Sequence, residues 1–353
     1  MATEQLTDDQ FATLGRQVPV ASVEGELRKL WDEDEASTRA SLMNLLVYTE
    51  DSKQLLENAE LLPRLTQEHA CRAILIGLER EAEETTAQAW ITAHCHLAHG
   101  KKSICSEQVA FLLRGFSRGR MRNTVFANTA SDLPLVFWWQ GELSPRFSNG
   151  LYSVLDRLIF DSSTWTDLES SFNTIKEARE NTSSHFVTQD LSWTRSFCYR
   201  LAIAGLFDDP VAQQAFPSVE KVAITGQPQH RAAVLMLIAW LGKMAGWSFD
   251  GSSFQGDEGQ KIEIEFDWDS EGAPIGEVRV SAPNFELTVS RKPGAQILQQ
   301  ELVAGDHVVQ ARGPADADEP IELVASQLSR GGKNSLFLRI LPTFRELLKT
   351  FGK

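Results

Sequence analysis

The sequence contains only four cysteines, and none of them forms a C-x-x-C pair. So few cysteines exclude the small disulfide scaffold typical of secreted domains. No apolar run approaches the about 20 residues that span a bilayer, and the first residues lack the basic and apolar regions of a signal peptide. These absences predict a soluble, cytoplasmic protein with no membrane partner.

Glycine motifs that bind phosphates are also missing. The chain has no G-x-G-x-x-G and no G-x-x-x-x-G-K-[ST], and Gly100-Lys101-Lys102-Ser103 lacks the earlier glycine of a phosphate loop. A G-x-S-x-G nucleophile elbow is absent as well. We therefore expect no nucleotide cofactor and no catalytic residues.

Positive charge is scarce, because 34 Lys and Arg face 48 Asp and Glu, for a net charge of −14. This balance argues against general binding to nucleic acid, which needs a basic surface to neutralise phosphates. One basic segment stands out, with Arg114, Arg118, Arg120 and Arg122 in nine residues. It predicts either a patch that grips a phosphate or an acidic protein surface, or simply a solvated loop and helix start.

The most informative stretch is Asp132 to Gly141, in which an apolar run follows Pro134 and ends at Gln140-Gly141. The run predicts a fully buried strand, with Pro134 at its beginning. Trp138 and Trp139 then point to opposite faces, which favours the middle of a layered sheet covered by helices on both sides. Either both rings belong to the core, or one of them lines a ligand-binding crevice at the strand's carboxyl end.

Patterns around this strand define the fold class. Strand-like runs at 42–48 and 73–78 flank a helix, which predicts a parallel pair joined by a right-handed crossover, and runs at 87–97 and 103–113 predict an antiparallel hairpin. Beyond a linker rich in Gly, Ser and Asp at 248–260, alternating strands predict an antiparallel sheet with one wet face. We expect an α/β domain over residues 1–247, with a layered, partly parallel sheet flanked by helices, and a smaller antiparallel β-rich domain over residues 261–353.

The densest cluster of metal-type ligands lies on the predicted hairpin. It contains His94, Cys95, His96, His99 and Cys105. On a strand the first two histidines share one face and Cys95 points to the other, so convergence on one zinc ion is not expected. Cys95 and Cys105 both lie five residues from Gly100, so the hairpin brings them close, either as a reversible disulfide or as two buried thiols.

Four stretches, taken in order and with their spacing, resemble the glucose-6-phosphate dehydrogenase assembly protein family, OpcA. They are Arg39 to Glu50, Asp132 to Gly141, Asp190 to Arg195 (Asp-Leu-Ser-Trp-Thr-Arg) and Ala232 to Trp247. The resemblance spans most of the chain.

The resemblance implies a non-catalytic partner of the dehydrogenase that oxidises glucose 6-phosphate with NADP. Members of the family are described as promoting that enzyme's assembly or raising its activity allosterically, and in cyanobacteria as a route for thioredoxin control through cysteines. The family has no catalytic residues to carry over. The implied mechanism is linkage, in which the protein binds the substrate-competent form of the dehydrogenase best.

Two alternatives remain open from the sequence. One is an enzyme or a binding protein for a sugar phosphate or nucleotide, which uses the crevice beyond Trp139 and the arginine segment. The other is a redox-sensing adaptor that acts through Cys95 and Cys105.

Overall fold

The computed structural model describes residues 8–32, 37–39, 41–98, 102–115, 119–144, 147, 149–181, 186–330, 332 and 334–352. They form two compact units. The first comprises Met1–Phe160, Ser170–Thr188 and Leu328–Gly331, and the second comprises Asp161–Glu169, Gln189–Gln327 and Gly332–Lys353. Each unit has a sheet and helices of its own, so the class is α/β.

The first sheet has nine strands in the order β1-β5-β6-β4-β3-β7-β8-β9, with β2 paired to β6. The strands are β1 (Arg16–Val18), β2 (Ser37–Arg39), β3 (Asn44–Thr49), β4 (Arg72–Glu79), β5 (Ala87–Ala98), β6 (Lys102–Arg114), β7 (Leu135–Trp139), β8 (Arg157–Phe160) and β9 (Val187–Asp190). β3 pairs in parallel with β4 and β7, and β7 pairs in parallel with β8. β5 and β6 form an antiparallel hairpin. The parallel pair, the hairpin and the interior position of β7 confirm the sequence predictions.

Helices of the first unit are α1 (Asp8–Phe11), α2 (Val23–Asp32), α3 (Ser52–Glu68), α4 (Arg120–Asn128), α5 (Asn149–Tyr152) and α6 (Leu168–Glu180). Helix α3 crosses from β3 to β4 and packs on both strands. Its buried residues Leu55, Ala59, Leu62 and Leu65 recur at three- and four-residue spacing and form one apolar face. This is the crossover that the sequence predicts.

The second sheet has eight strands in the order β11-β12-β13-β10-β14-β15-β16-β17. The strands are β10 (Lys221–Gly226), β11 (Ser248–Phe249), β12 (Phe254–Gln255), β13 (Lys261–Trp268), β14 (Ile275–Ala282), β15 (Phe285–Ser290), β16 (Ile297–Ala304) and β17 (His307–Pro314). Alternate residues of β14 and β15 are buried, as expected for a sheet with one wet face. The sheet is antiparallel except for the parallel pair β10–β13, so the predicted wholly antiparallel sheet is corrected at this pair.

Helices of the second unit are α7 (Leu191–Thr194), α8 (Phe197–Phe207), α9 (Pro210–Ala215), α10 (Arg231–Ala245), α11 (Pro320–Ser329) and α12 (Ser335–Phe351). Helix α10 is buried from Ala232 to Gly242, and it ends at Gly246 in the left-handed conformation. Helix α8 packs on β15 and β16, and α10 contacts β10 and α12. Among the described helices, none combines the length and the apolar character that crossing a bilayer requires.

The division between the two units differs from the predicted one. The segment 248–260 is no linker, because it contributes β11 and β12 to the second sheet. Strand β10 lies inside that sheet, between β13 and β14, and so belongs with the C-terminal strands. The alternating pattern of β10 is typical of a strand but carries no information about its partners.

Candidate functional site

The carboxyl end of the parallel strands in the first sheet is where doubly wound sheets bind ligands. Of the three neighbouring parallel strands β4, β3 and β7, the central strand β3 comes first in the chain. The chain continues to β4 on one side of β3 and later to β7 on the other side, so the strand order reverses at β3. Dinucleotides bind at this point in such folds, with their pyrophosphate on the amino terminus of the next helix. Here that helix is α3.

The amino terminus of α3 carries its own carboxylate. Asp51 is the N-cap, and its Oδ1 accepts a 2.8 Å hydrogen bond from the backbone N–H of Lys53. The N–H of Asp51 donates to Thr49 Oγ1 at 3.1 Å, and the N–H of Leu55 donates to the Asp51 carbonyl. A negative side chain therefore occupies the place that a phosphate takes at the start of such a helix.

An amide pair joins α3 to the loop after β7. Asn58 Nδ2 donates to Gln140 Oε1 at 2.8 Å, and Gln140 Nε2 donates back to Asn58 Oδ1 at 2.9 Å. Each amide satisfies the other, and Asn58 is only 4% exposed. This reciprocal pair links the helix to the strand end beside the point where a crevice was predicted.

Neither tryptophan of β7 lines an open crevice. Trp138 is 4% exposed and Trp139 is 1% exposed. Trp139 contacts the rings of Tyr48 and Phe147, and its indole N–H donates to the Glu142 carbonyl at 2.9 Å. Both rings are core residues, so the crevice interpretation of this strand is corrected.

The arginine segment is largely engaged within the chain. Arg114 Nε donates to Glu79 at 2.5 Å and its Nη1 to Gln88 at 3.0 Å. Arg120 Nη1 donates to the backbone carbonyl of Thr86 at 2.9 Å. These guanidinium groups stabilise the turn between β4 and β5 and do not converge on an external anion.

Two members of the predicted patch remain. Arg122 is exposed, and its guanidinium packs against Gly150. Arg118 lies outside the described residues. The structure describes three of the four arginines that were predicted to bind a phosphate. Of these three, Arg122 alone is exposed.

Cys95 and Cys105 face each other across the β5–β6 hairpin and form a disulfide. Cys105 is fully buried, whereas Cys95 is exposed. Of the two arrangements left open by the sequence, the structure has the disulfide. Cys71 is a separate buried thiol, and burial raises its pKa to about 12, so it stays protonated and unreactive at neutral pH.

The described histidines beside this disulfide lie within hydrogen-bonding distance of other side chains of the protein. His94 Nε2 lies 2.8 Å from Gln108 Oε1, and burial lowers the pKa of His94. His96 Nε2 lies 3.3 Å from Thr66 Oγ1, and His99 lies outside the described residues. Within the described part of the chain, no group of three His, Cys, Asp or Glu side chains is placed to hold a metal ion.

The most unusual polar cluster lies in the second unit. Arg195 and Asp161 form a bidentate ion pair at 2.9 and 2.7 Å, and Arg195 is 4% exposed. Asp190, fully buried, accepts hydrogen bonds at its Oδ1 from the N–H groups of Ser162 and Ser192. The Asp161 carboxylate therefore pairs with the buried guanidinium, whereas the Asp190 carboxylate is held by backbone N–H groups.

The titration of these groups follows from their surroundings. Burial raises the pKa of Asp190 to about 7, and the neighbouring Asp161 carboxylate adds to the rise. Burial also acts to raise the pKa of Asp161, but the charge and hydrogen bonds of Arg195 outweigh it and hold that pKa below its usual range. Burial and the Arg195 charge lower the pKa of His230 to about 4, so its ring is neutral at pH 7.

Several buried atoms of this cluster have no hydrogen-bond partner among the described residues. They are Ser162 Oγ, Gln189 Oε1, Asp190 Oδ2, Arg195 Nε and His230 Nδ1. The elements that carry them contact one another, since the turn Ser162–Thr164 packs against α7 and α10. The cluster can hold a proton on Asp190 at neutral pH.

Sequence reasoning missed this cluster as a candidate site. The only signals were the stretch Asp190 to Arg195, noted for its family resemblance, and the capping residues Ser162 to Thr164. Asp161 and Arg195 are 34 residues apart, and nothing in their spacing predicts that they meet.

Comparison with solved structures finds proteins whose backbone fold is similar at low sequence identity. A 3-ketoreductase from Actinomadura kijaniata is 10% identical with a TM-score of 0.46, covering 87% of this chain and 97% of that chain. An aldose-aldose oxidoreductase from Caulobacter crescentus is 12% identical with a TM-score of 0.45, covering 88% and 98%. The super-repressor mutant of Gal80p from Saccharomyces cerevisiae is 7% identical with a TM-score of 0.39, covering 88% and 97%. Similarity this distant carries no argument about activity.

Sequence comparison is more direct. No curated protein matches the chain. Two family models do, one for the N-terminal domain of the glucose-6-phosphate dehydrogenase subunit, over residues 63–177, and one for its C-terminal domain, over residues 187–341. Together they match most of the chain and contain three of the four stretches, whereas Arg39 to Glu50 precedes the first matched range. The chain belongs to the glucose-6-phosphate dehydrogenase assembly protein family, OpcA.

Proposed function

We propose that this protein is a non-catalytic assembly factor and allosteric activator that binds glucose-6-phosphate dehydrogenase and favours its substrate-competent form. The observation that carries the proposal is the match to both domains of the family, each of which is described as part of a glucose-6-phosphate dehydrogenase subunit. The partner is the dehydrogenase, and the reaction that benefits is the oxidation of glucose 6-phosphate.

The first unit supports a non-catalytic role. At the point of the sheet where a dinucleotide would bind, Asp51 caps helix α3 with a carboxylate, and the amide pair Asn58–Gln140 ties α3 to the end of β7. A pyrophosphate there would face negative charge and would have to displace existing hydrogen bonds. The arginines described in the basic segment offer no compensating cluster, so the sugar-phosphate or nucleotide alternative loses its main support.

The mechanism is a shift of population. A protein that binds the active form of the dehydrogenase more tightly than other forms raises the fraction of active enzyme. A coupling of about 1–3 kcal/mol between this protein and substrate corresponds to a change in apparent substrate affinity of about 5- to 150-fold. No chemistry by this chain is required.

The test is a titration of the purified protein into the dehydrogenase of the same cell, with NADPH formation followed at subsaturating glucose 6-phosphate. We expect a saturable rise in rate, and no NADPH formation when the dehydrogenase is left out. An unchanged rate together with no co-elution of the two proteins on sizing would contradict the proposal. Turnover by this chain alone would contradict its non-catalytic part.

A second candidate function is a redox-sensing adaptor, and the Cys95–Cys105 disulfide favours it. Cys95 is the exposed cysteine of the pair, and it lies on a strand where a reductant can reach it. If this function holds, reduction changes the affinity for the dehydrogenase and Cys105→Ser abolishes the change. Equal affinities of the oxidised and reduced protein would remove it.

A further inference from the structure

The second sheet has one face that no described helix covers. Across the six neighbouring strands β13, β10, β14, β15, β16 and β17, the residues of this polar face are all at least partly exposed. On β10, β14 and β15 they alternate with buried residues. The registers of the pairs place residues of successive strands side by side in rows. One row reads Asp267, Thr225, Glu277, Ser290, Gln299 and Arg312 across the sheet.

Most charges in the middle of the polar face are already paired, and Glu301 on β16 accepts a hydrogen bond from Gln310 at 2.6 Å. Arg279 lies 2.7 Å from Glu277 and 3.7 Å from Glu286. Lys221 lies 2.6 Å from Glu265. The central strands therefore present a nearly neutral surface of short polar side chains and internal ion pairs.

The two outer strands carry charge of opposite sign that is not neutralised. Asp267 on β13 makes no ion pair with any residue that the structure describes, and neither does Glu263 on the same strand. At the other side, Arg312 on β17 donates only to the uncharged Gln299, at 3.2 Å. The polar face thus has an acidic margin and a basic margin.

We propose that the polar face binds a second copy of this chain, sheet against sheet, about a two-fold axis that runs parallel to the strands. This rotation exchanges left and right across the sheet and preserves position along the strands. It lays β13 on the partner's β17, β10 on its β16 and β14 on its β15. Asp267 then meets the partner's Arg312, and the contact occurs twice because the interface is isologous.

The charges select this axis over the alternative. A two-fold axis in the same plane but perpendicular to the strands would lay β13 on itself, with Glu265 against the partner's Glu265 and Glu263 against the partner's Asp267. Like charges opposed at an interface are strongly unfavourable. With the parallel axis, no two like charges face each other in the three central rows, and Asp267 meets the partner's Arg312 at each margin.

The shape of the polar face agrees with the same axis. A depression of about 440 Å³ lies over β15, β16 and β17, where the short side chains of Thr288 and Ser290 are flanked by Gln299, Gln310 and Arg312. Under the proposed rotation, Thr288 faces the partner's Arg279, whose side chain is 45% exposed. A protruding guanidinium on each copy thus faces a depression on the other, which is the complementarity that sheet packing requires.

The area is sufficient for a reversible dimer. Six strands about 4.8 Å apart and about 20 Å of strand length give a footprint of about 600 Å² per copy. Two such footprints reach the lower limit of stable interfaces, about 1,200 Å² in total. The polar composition indicates a dimer that exchanges with its monomer. This inference does not rest on the proposed function.

The test is sedimentation equilibrium of the full chain with a charge-swap series. We expect a wild-type dimer with a dissociation constant in the micromolar range. Asp267→Arg and Arg312→Asp should each weaken dimerisation at least tenfold, and the double variant should recover to within about threefold of the wild type, because the swapped pair attracts again. Thr288→Arg, which fills the depression opposite the partner's Arg279, should weaken dimerisation at least tenfold.

The control is Glu60→Lys, which reverses an exposed acidic charge on α3 with a charge change equal to that of Asp267→Arg and should leave the dimer unchanged. All substituted side chains are exposed or half-exposed, and circular dichroism checks that each variant is folded. A wild-type monomer at about 100 µM overturns the proposal, as does a double variant no tighter than the single ones. If the chain is a monomer alone and Thr288→Arg instead abolishes binding to the dehydrogenase, the polar face belongs to that partner and the second-copy proposal is wrong.

Discussion

At the scale of single residues, the titration of Asp190 links stability to pH. An unfolded aspartate titrates near 3.9, whereas burial and the Asp161 carboxylate raise the pKa of Asp190 to about 7 in the folded protein. The folded state therefore binds the proton more tightly, and the stability that this proton contributes is lost as the pH rises from about 4 through 7.

Asp190→Asn tests this assignment. The amide keeps an oxygen that can accept from Ser162 and Ser192 but carries no charge. We expect urea unfolding to find the variant close to the wild type near pH 4 and more stable than the wild type at pH 8, by up to roughly 4 kcal/mol. A difference between the two proteins that does not change with pH would contradict the raised pKa.

Asp161→Asn should behave in the opposite way. Arg195 would be left buried without its carboxylate, so the free energy of unfolding at pH 8 should fall by about 3–5 kcal/mol. The same urea titrations measure it. A change of less than about 1 kcal/mol would show that the pair is exposed in solution, as surface ion pairs are.

The disulfide permits a third residue-level prediction. Linking Cys95 to Cys105 closes a short loop, and a loop of this length corresponds to a stabilisation of about 3 kcal/mol. Reduction should therefore lower the free energy of unfolding by roughly this amount in the wild type. Cys105→Ser should remove the response to reductant, and Cys71→Ser should keep it. If reductant left the free energy of unfolding of the wild type unchanged, the result would contradict the disulfide.

Among the helices, α3 is the element whose amino terminus bears on function. Asp51→Ala removes the N-cap and should lower the free energy of unfolding by about 1 kcal/mol, while Asp51→Ser, which can cap in the same way, should lose much less. Chemical denaturation of the three proteins measures both effects. Equal losses for the two variants would show that capping is not what Asp51 does.

The same helix predicts how the chain responds to cofactor. Because a carboxylate occupies the start of α3, we expect millimolar NADP to leave the thermal unfolding midpoint of the isolated protein unchanged. A ligand that binds only the folded state would raise the midpoint as its concentration exceeds its dissociation constant. A saturable rise would contradict the proposed lack of cofactor binding.

For the whole molecule, the central prediction is reciprocity between substrate and partner. If the protein favours the substrate-competent dehydrogenase, then glucose 6-phosphate must strengthen the complex by the same factor by which the complex strengthens substrate binding. Calorimetry with and without glucose 6-phosphate should show a tightening of about 5- to 150-fold. Identical affinities would rule out the coupling, even if the two proteins bind.

Elements were predictable where a short-range pattern specifies them. The apolar run of β7 predicted a buried interior strand, and the spacing of Cys95 and Cys105 from Gly100 predicted that the two cysteines face each other. The residues before α3, Thr49-Glu50-Asp51, end in an aspartate, which is a residue type that commonly caps helices. Periodicity and turn position suffice for these features, because the residues that determine them lie within one element or one hairpin.

Partners distant in the chain were not predictable. Strand β10 alternates as clearly as β13, yet its pattern does not show which sheet it joins, and the predicted domain boundary failed for this reason. The arginine segment looked like an anion site because sequence shows charge but not the carboxylates and carbonyls that neutralise it, such as Glu79 and Thr86. Long-range pairing depends on the packing of whole elements, which no local pattern encodes.

The sequence by itself determined the α/β class, the buried strand with its two tryptophans, the missing phosphate loops and the family, since each of these depends on residue type and local order. Only the tertiary structure decided that both tryptophans are core, that Asp161 and Arg195 form a buried pair beside Asp190, and that Asp267 and Arg312 lie at opposite margins of one polar face. The physical reason is that burial, ion pairing and surface charge arise from side chains brought together from distant parts of the chain.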